Sequence, residues 1–171
     1  YCYLVSGKAA TGKTNTLRLM VVSANLLDAD VTVIDFTGDL KTAANAAQAR
    51  YVNTQKELLE FFKYISPDFK ARNSIKNSCA AMGKTNEEIY DEIQQFRKMI
   101  IVIADLADFV KKVHHPEEGI ENMVPFLSTL LKKGAMHNVF WIAGFNQDES
   151  VDMAGYEIYN LFIKDKNGMH L

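Results

Sequence analysis

Gly7-Lys8-Ala9-Ala10-Thr11-Gly12-Lys13-Thr14 is the stretch whose residue types and spacing are best suited to chemistry. It satisfies G-x-x-x-x-G-K-[ST] at every fixed position. The glycines let the backbone curl so that successive N–H groups face one anion. A helix starting directly after the loop adds its dipole to that pull. In this geometry Lys13 reaches the β- and γ-phosphates of ATP, and the Thr14 hydroxyl ligates Mg²⁺. The competing reading is a glycine-rich strand-to-helix turn without a ligand, with Lys8 simply solvated.

Phosphoryl chemistry at such a loop needs a second element. This is an apolar strand ending in an Asp that holds Mg²⁺, followed by a Glu that polarises the attacking water. Met99–Ala104 is the apolar strand, and Asp105-Leu106-Ala107-Asp108-Phe109 follows it. Two alternatives stand. Either Asp105 is the Mg²⁺-linked carboxylate and Leu106 replaces the base, or Ala104 occupies the Mg²⁺ position and Asp105 is a shortened base. Each leaves one carboxylate missing. Loss of a general base costs roughly 10²–10⁴-fold in rate, and a displacement of about 1 Å costs on the order of 100-fold. The sequence therefore predicts ATP binding with weak or absent hydrolysis.

These residues need a scaffold of alternating strands and helices. Segments 1–5, 31–35, 50–53, 99–104, 139–143 and 159–163 read as strands, most of them apolar runs. The segments 13–27, 40–49 and 118–133 read as helices. Thr54-Gln55-Lys56-Glu57 and Thr85-Asn86-Glu87-Glu88 are capping boxes, the second opening a helix through Ile89, Ile93 and Phe96. Ser66-Pro67-Asp68 reads as a further helix start, with Pro at the first helical position. Asp165–Gly168 is a turn leading into Met169–Leu171. The alternation implies an α/β fold with a mainly parallel sheet. The polar stretch 65–96 reads as a helical insertion.

The 171 residues correspond to one domain, and residues 1–171 are read as a single unit. Opening without Met and close to a motif, the chain is expected to be a fragment of a longer protein. Nineteen Lys and Arg against 21 Asp and Glu give a net charge of −2, which argues against nucleic acid as the main partner. No apolar run reaches the ~20 residues that span a bilayer. Cys2 and Cys79 are too few for a disulfide framework and are read as reduced.

The order of strand, phosphate loop, helix, Val31–Asp35, Arg50–Val52 and second apolar strand resembles the FtsK/SpoIIIE ATPases. Ala104–Phe109 is similar to the Asp-Glu-x-Ala-Asp-Leu stretch of motor members, which favours Ala104 at the Mg²⁺ position and Asp105 in place of Glu. Lys132-Lys133-Gly134-Ala135-Met136-His137 resembles a basic, small-residue segment of the family. Ala143-Gly144-Phe145-Asn146-Gln147 stands where motors have Thr-Gln-Arg-Pro, which makes Asn146 the candidate γ-phosphate sensor. With these departures the chain is most similar to the last, degenerate ATPase module of an EssC/EccC-type protein of type VII secretion. The resemblance implies a RecA-like P-loop core and a cytoplasmic module of a bacterial cell-membrane protein. It implies neighbouring ATPase modules in the same chain, assembly into a ring, and recognition of secreted WXG100-type substrates. Two alternatives remain: an active ring motor translocating DNA or protein, and a non-catalytic peptide-binding module.

Other candidates have plainer readings. Asp35 either bonds a Mg²⁺ water or caps the turn with Thr37-Gly38, and Asp39 reads as a helix N-cap. His114-His115-Pro116-Glu117-Glu118 reads as a solvated loop rather than a metal site. His137 and His170 read as surface or core-edge residues. Phe61, Phe62, Tyr64 and Phe69 read mostly as core, with an exposed peptide groove as the alternative. Lys132 and Lys133 complement a helix end.

Overall fold

The apolar runs assemble into one parallel sheet. The computed structural model describes residues 2–134 and 136–171. Tyr1 and Ala135, included above in the first strand and in the basic segment, lie outside them. The strands are β1 (Cys2–Gly7), β2 (Ala29–Ile34), β3 (Arg50–Val52), β4 (Lys98–Ile103), β5 (Val139–Asn146) and β6 (Gly168–His170). Their spatial order is β3-β2-β4-β5-β1-β6, and every pairing is parallel. β5 thus stands between the strand that ends in the phosphate loop and the strand that ends at Ala104. Gly7 lies opposite Asn146 and Ile103 opposite Ala143, so all three strand ends open on the same edge. Ligands of parallel sheets bind at this carboxyl edge.

The helices are α1 (Lys13–Ala24), α2 (Lys41–Ala46), α3 (Gln55–Ala81), α4 (Asn86–Ile93), α5 (Leu106–His114), α6 (Val124–Lys133), α7 (Ser150–Met153) and α8 (Glu157–Ile163). Leu17 and Val21 of α1 and Ala43 and Ala44 of α2 bury one face of the sheet against Val33 and Val102. The opposite face packs larger side chains, Phe61, Phe109, Trp141 and Phe162 among them. Phe162 meets Trp141 and Phe109 edge-on, with ring centroids 5.7 and 6.3 Å apart. Each fully buried Leu, Ile or Phe contributes roughly 1.5–3 kcal/mol, and covering both faces explains why β4 reads as an unbroken apolar run. No helix among the described residues is long and apolar enough to cross a membrane.

Both capping boxes form, at Thr54 with Glu57 and at Thr85 with Glu88. Several boundaries differ from the sequence reading. Ser66-Pro67 starts no helix; Pro67 sits inside the continuous α3, because the apolar stripe Leu58, Phe61, Phe62, Ile65, Phe69 stays buried across it. Residues 118–123 are not helical, and α6 begins at Val124 with Pro125 in its first turn, where a missing N–H costs nothing. Tyr159–Ile163 is helix α8 rather than a strand. A five-residue apolar run suits either, and Ile158, Tyr159 and Phe162 are buried at helical spacing. The edge strand beside β1 is instead β6. Phe96 falls outside α4, which ends at Ile93.

Candidate phosphate-binding site

β1 delivers the chain to Gly7, and α1 takes it up at Lys13. Gly12 between them has φ +98°, a left-handed conformation that glycine adopts freely. Gly7 is fixed as glycine for a different reason. A Cβ there would lie 2.6 Å from the Leu171 carbonyl oxygen and from Thr11 Oγ1. Lys8, Ala9, Ala10 and Thr11 are exposed. The Lys13 ammonium folds back on its own loop, donating to the Gly7 carbonyl at 3.0 Å and to the Lys8 carbonyl. Thr11 Oγ1 donates to the same Lys8 carbonyl at 2.9 Å. A shallow cup of about 250 Å³ over Ala10–Asn15 leads from this loop into solvent.

Beside the cup lies a smaller cavity of about 110 Å³, sharing Lys13 and Thr14 with it. Asp105, Asn146, Thr37 and Asp39 also line it. The sheet order explains the gathering, since the ends of β4 and β5 flank the start of α1. Gly144 makes it close-packed: a Cβ there would strike the Ala104 carbonyl and the Leu17 side chain.

The sequence candidates divide here. Lys13, Thr14, Asp105 and Asn146 converge on one cavity, with Ala104 in its wall. Asp105 is also the N-cap of α5, its Oδ1 accepting from the Asp108 N–H at 3.0 Å, which engages one of its two oxygens. Asn146 Oδ1 accepts from the Asp148 N–H at 3.3 Å and caps the turn after β5. Asp35 goes elsewhere. Wholly buried, it accepts from the Thr37 N–H and hydroxyl, the Gly38 N–H, the Leu40 N–H and the Tyr51 hydroxyl at 2.8–3.1 Å. Burial pushes its carboxyl up, but the bonds from Leu40, Thr37, Tyr51 and Gly38 outweigh that and hold it below its ordinary range. It is the turn cap of the two readings.

Asp39 is not a helix N-cap. Leu40 holds that position without a side-chain bond, and Asp39 lines the cavity instead. Sequence reasoning also missed Glu149, in the turn after β5. Burial and the charge of Asp105 push its carboxyl up, and Lys111 Nζ stands 3.7 Å away. Neither carries a local motif; the strand order brings Asp39 beside the loop and Glu149 within electrostatic reach of Asp105.

The histidines also depart from expectation. His114 is the last residue of α5 rather than part of a loop, its ring edge-on to Tyr156 at 4.9 Å. His115 Nε2 lies 3.1 Å from the Tyr156 hydroxyl. His137 is wholly buried rather than at a surface or core edge, whereas His170 is exposed beside Ser6. Phe61, Phe62 and Phe69 are core, while Tyr64 is exposed with the Arg50 guanidinium 4.2 Å from its ring centre.

A divalent ion fits the chemistry of the donor set. The Thr14 hydroxyl and the carboxylates of Asp39 and Asp105 are hard oxygen donors, which suit Mg²⁺ rather than a thiolate- or imidazole-seeking metal. Among the described residues no three His, Cys, Asp or Glu form a metal-binding group. Mg²⁺ is commonly held by one or two carboxylates together with substrate phosphates.

No protein-family model matches the chain, and no curated protein sequence matches it. Solved structures do. The pCW3 conjugation coupling protein TcpA, in its monomer form with ATPγS, superposes with a TM-score of 0.71 at 17% identity over 94% of this chain and 46% of that one. The cytoplasmic domain of the Thermomonospora curvata type VII secretion ATPase EccC gives 0.67 at 18% identity over 98% of this chain and 19% of its own. ATPases 2 and 3 of T. curvata EccC, in complex with a signal sequence peptide, give 0.63 at 17% over 99% and 29%. EssC modules are among the further matches. The chain spans less than half the length of these structures. Its neighbours thus include the EssC/EccC ATPases that the sequence resembles, together with a conjugation coupling protein, and the chain has the RecA-like P-loop NTPase fold.

Proposed function

We propose that this chain is a nucleotide-binding module of a type VII secretion ATPase of the FtsK/SpoIIIE type. Gly7–Thr14 cradles the phosphates of ATP. Lys13 turns from the carbonyls of its own loop to the β- and γ-phosphates, Thr14 and Asp105 face Mg²⁺, and Asn146 senses the γ-phosphate. Bound Mg²⁺ neutralises phosphate charge and orders the attacking water. Hydrolysis by the module alone is weak or absent, since Ala104 puts a methyl group in the cavity wall where a carboxylate is needed. The observation that carries this reading is the convergence of Lys13, Thr14, Asp105 and Asn146 on one cavity at the carboxyl edge of the sheet.

The module acts on the cytoplasmic side of a bacterial membrane complex, beside other ATPase modules of the same polypeptide. It takes part in recognising secreted WXG100-type proteins, with 65–96 as its helical insertion. Two observations support an assembled setting. The chain spans only part of each neighbour, and α1 with the turn after it exposes Leu19, Val22, Leu26 and Leu27 outward. A cluster of large apolar side chains left exposed commonly marks an interaction surface.

Calorimetric titration with Mg-ATP, beside Lys13→Ala, tests the reading. Saturable heat in the wild type that disappears in the variant is expected. Heat in neither, with both proteins folded by circular dichroism, removes nucleotide from the function. Robust turnover by the isolated module removes the weak-hydrolysis part alone.

A further inference from the structure

The carboxylate missing at Ala104 has a counterpart on the turn after a neighbouring strand. We infer that Asp39, at the end of the β2–α2 turn, supplies the second carboxylate toward Mg²⁺ in the nucleotide site. This rests on the nucleotide-binding reading above.

The turn that carries Asp39 is built around a buried anion. Asp35 engages both of its oxygens with Thr37, Gly38, Leu40 and Tyr51, and so fixes the path of the chain from the end of β2 to the start of α2. Leu40, wholly buried, anchors the far end. Between these anchors Thr37 Oγ1 lies 2.7 Å from Asp39 Oδ2 and 2.9 Å from Asp35 Oδ1, so its one proton alternates between the two carboxylates and keeps Asp39 close to the turn. The turn is also clasped to the phosphate-loop helix. Arg18 Nε donates to the Asp39 carbonyl at 3.1 Å, and Arg18 Nη1 donates to Asn15 Oδ1 at 3.1 Å. Asn15 directly follows Thr14. Asp39 is thereby held against the first turns of α1, in the wall of the cavity that Lys13, Thr14 and Asp105 share.

The arrangement places Asp39 and Asp105 on turns that follow adjacent strands, with Thr14 lining the same cavity. Mg²⁺ keeps several waters and takes few protein oxygens, so a carboxylate that bonds a metal water suffices. A purely structural Asp39 would need only its bond to Thr37. That role alone does not explain why it lines the cavity with Lys13 and Thr14.

The test is ATP affinity measured by titration with saturating Mg²⁺ and again in EDTA, for the wild type, Asp39→Asn and Asp39→Glu. Asparagine still accepts from Thr37 through its amide oxygen, so the turn persists, as thermal unfolding of each variant verifies. Asp39→Asn is expected to weaken Mg-ATP binding by roughly 10–100-fold while leaving metal-free ATP affinity unchanged or tighter. Asp39→Glu is expected to recover part of the Mg²⁺ effect. Equal loss with and without Mg²⁺, or no loss at all, overturns the inference. Wild-type protein that binds no nucleotide overturns the underlying reading as well. Wild-type binding matched by Asp39→Asn overturns only the role of Asp39.

Discussion

Tyr51 donates its hydroxyl to the Asp35 carboxylate at 3.0 Å, tying the edge strand β3 to the turn that faces the phosphate loop. Burial and this carboxylate push the Tyr51 phenol up to about 12. Asp35 is held below its ordinary 3.8. A carboxyl depressed on folding stabilises the native state above its unfolded pKa, and that contribution is lost as pH falls through the folded value. Asp35→Asn cannot satisfy both sides, because its NH₂ group faces either Leu40 N–H and Tyr51 or Thr37 and Gly38, all donors. It is expected to lose about 1–3 kcal/mol at neutral pH and to flatten the acid limb of stability. Tyr51→Phe should lose about 0.5–1.5 kcal/mol. Urea unfolding at pH 7 and pH 3 measures both, and an Asp35→Asn protein as stable as wild type at pH 7 contradicts the role given to Asp35.

How much of this was legible in the sequence follows from the range of each interaction. The phosphate loop, its strand and its helix are set by adjacent residues, so spacing alone located Lys13 and Thr14. The capping boxes at Thr54 and Thr85 are equally local. The start of α5 is hard to read locally, because Asp105 fits a metal ligand at a strand end as well as the helix N-cap it forms. Tyr159–Ile163 is short enough to suit a strand or a helix, and its helical spacing shows only when Ile158 is counted with Tyr159 and Phe162. Asp39 reaches the site through the strand order, which no local pattern encodes.

Thr54 Oγ1 accepts from the Glu57 N–H at 3.2 Å while Glu57 Oε2 accepts from the Thr54 and Asn53 N–H groups. Thr85 and Glu88 repeat the device on α4. Thr54→Ala and Thr85→Ala should each lose about 1 kcal/mol. Lying on separate helices, they should add in the double variant to within about 0.5 kcal/mol. Denaturant midpoints for the three proteins decide it, and a double variant no worse than either single one would show that the two helix starts are coupled.

Pro67 offers a change in the opposite direction. It sits within α3, where it cannot donate to the carbonyl four residues back and crowds the preceding turn. Helix interiors disfavour proline by about 3 kcal/mol relative to alanine. Pro67→Ala is expected to stabilise by about 1–3 kcal/mol, raising Tm by at least ~2 °C. An unchanged or lower Tm would mean that what the ring contributes outweighs the restored hydrogen bond.

His137 supplies the pH dependence that is easiest to isolate. Its ring is wholly buried and lies 4.7 Å from that of Phe69. Burial, and then the positive charge of Lys76, lower its pKa from 6.5 to about 4; Arg72 acts in the same sense, while the backbone at Gly134 and Lys133 opposes it. The unfolded chain therefore takes up a proton between pH 6.5 and 4 that the native protein refuses. Stability from this group is complete above pH 6.5 and falls by about 1.4 kcal/mol per unit below it, some ~3 kcal/mol by pH 4. Carboxylates titrate in the lower part of the same range, so the comparison must be with a variant. His137→Leu keeps the volume close and removes the proton site. Its urea midpoint should decline less steeply than that of the wild type between pH 6.5 and 4, with the two curves running parallel above pH 7. Parallel curves throughout would mean that His137 titrates normally and is not sealed from water in the native state.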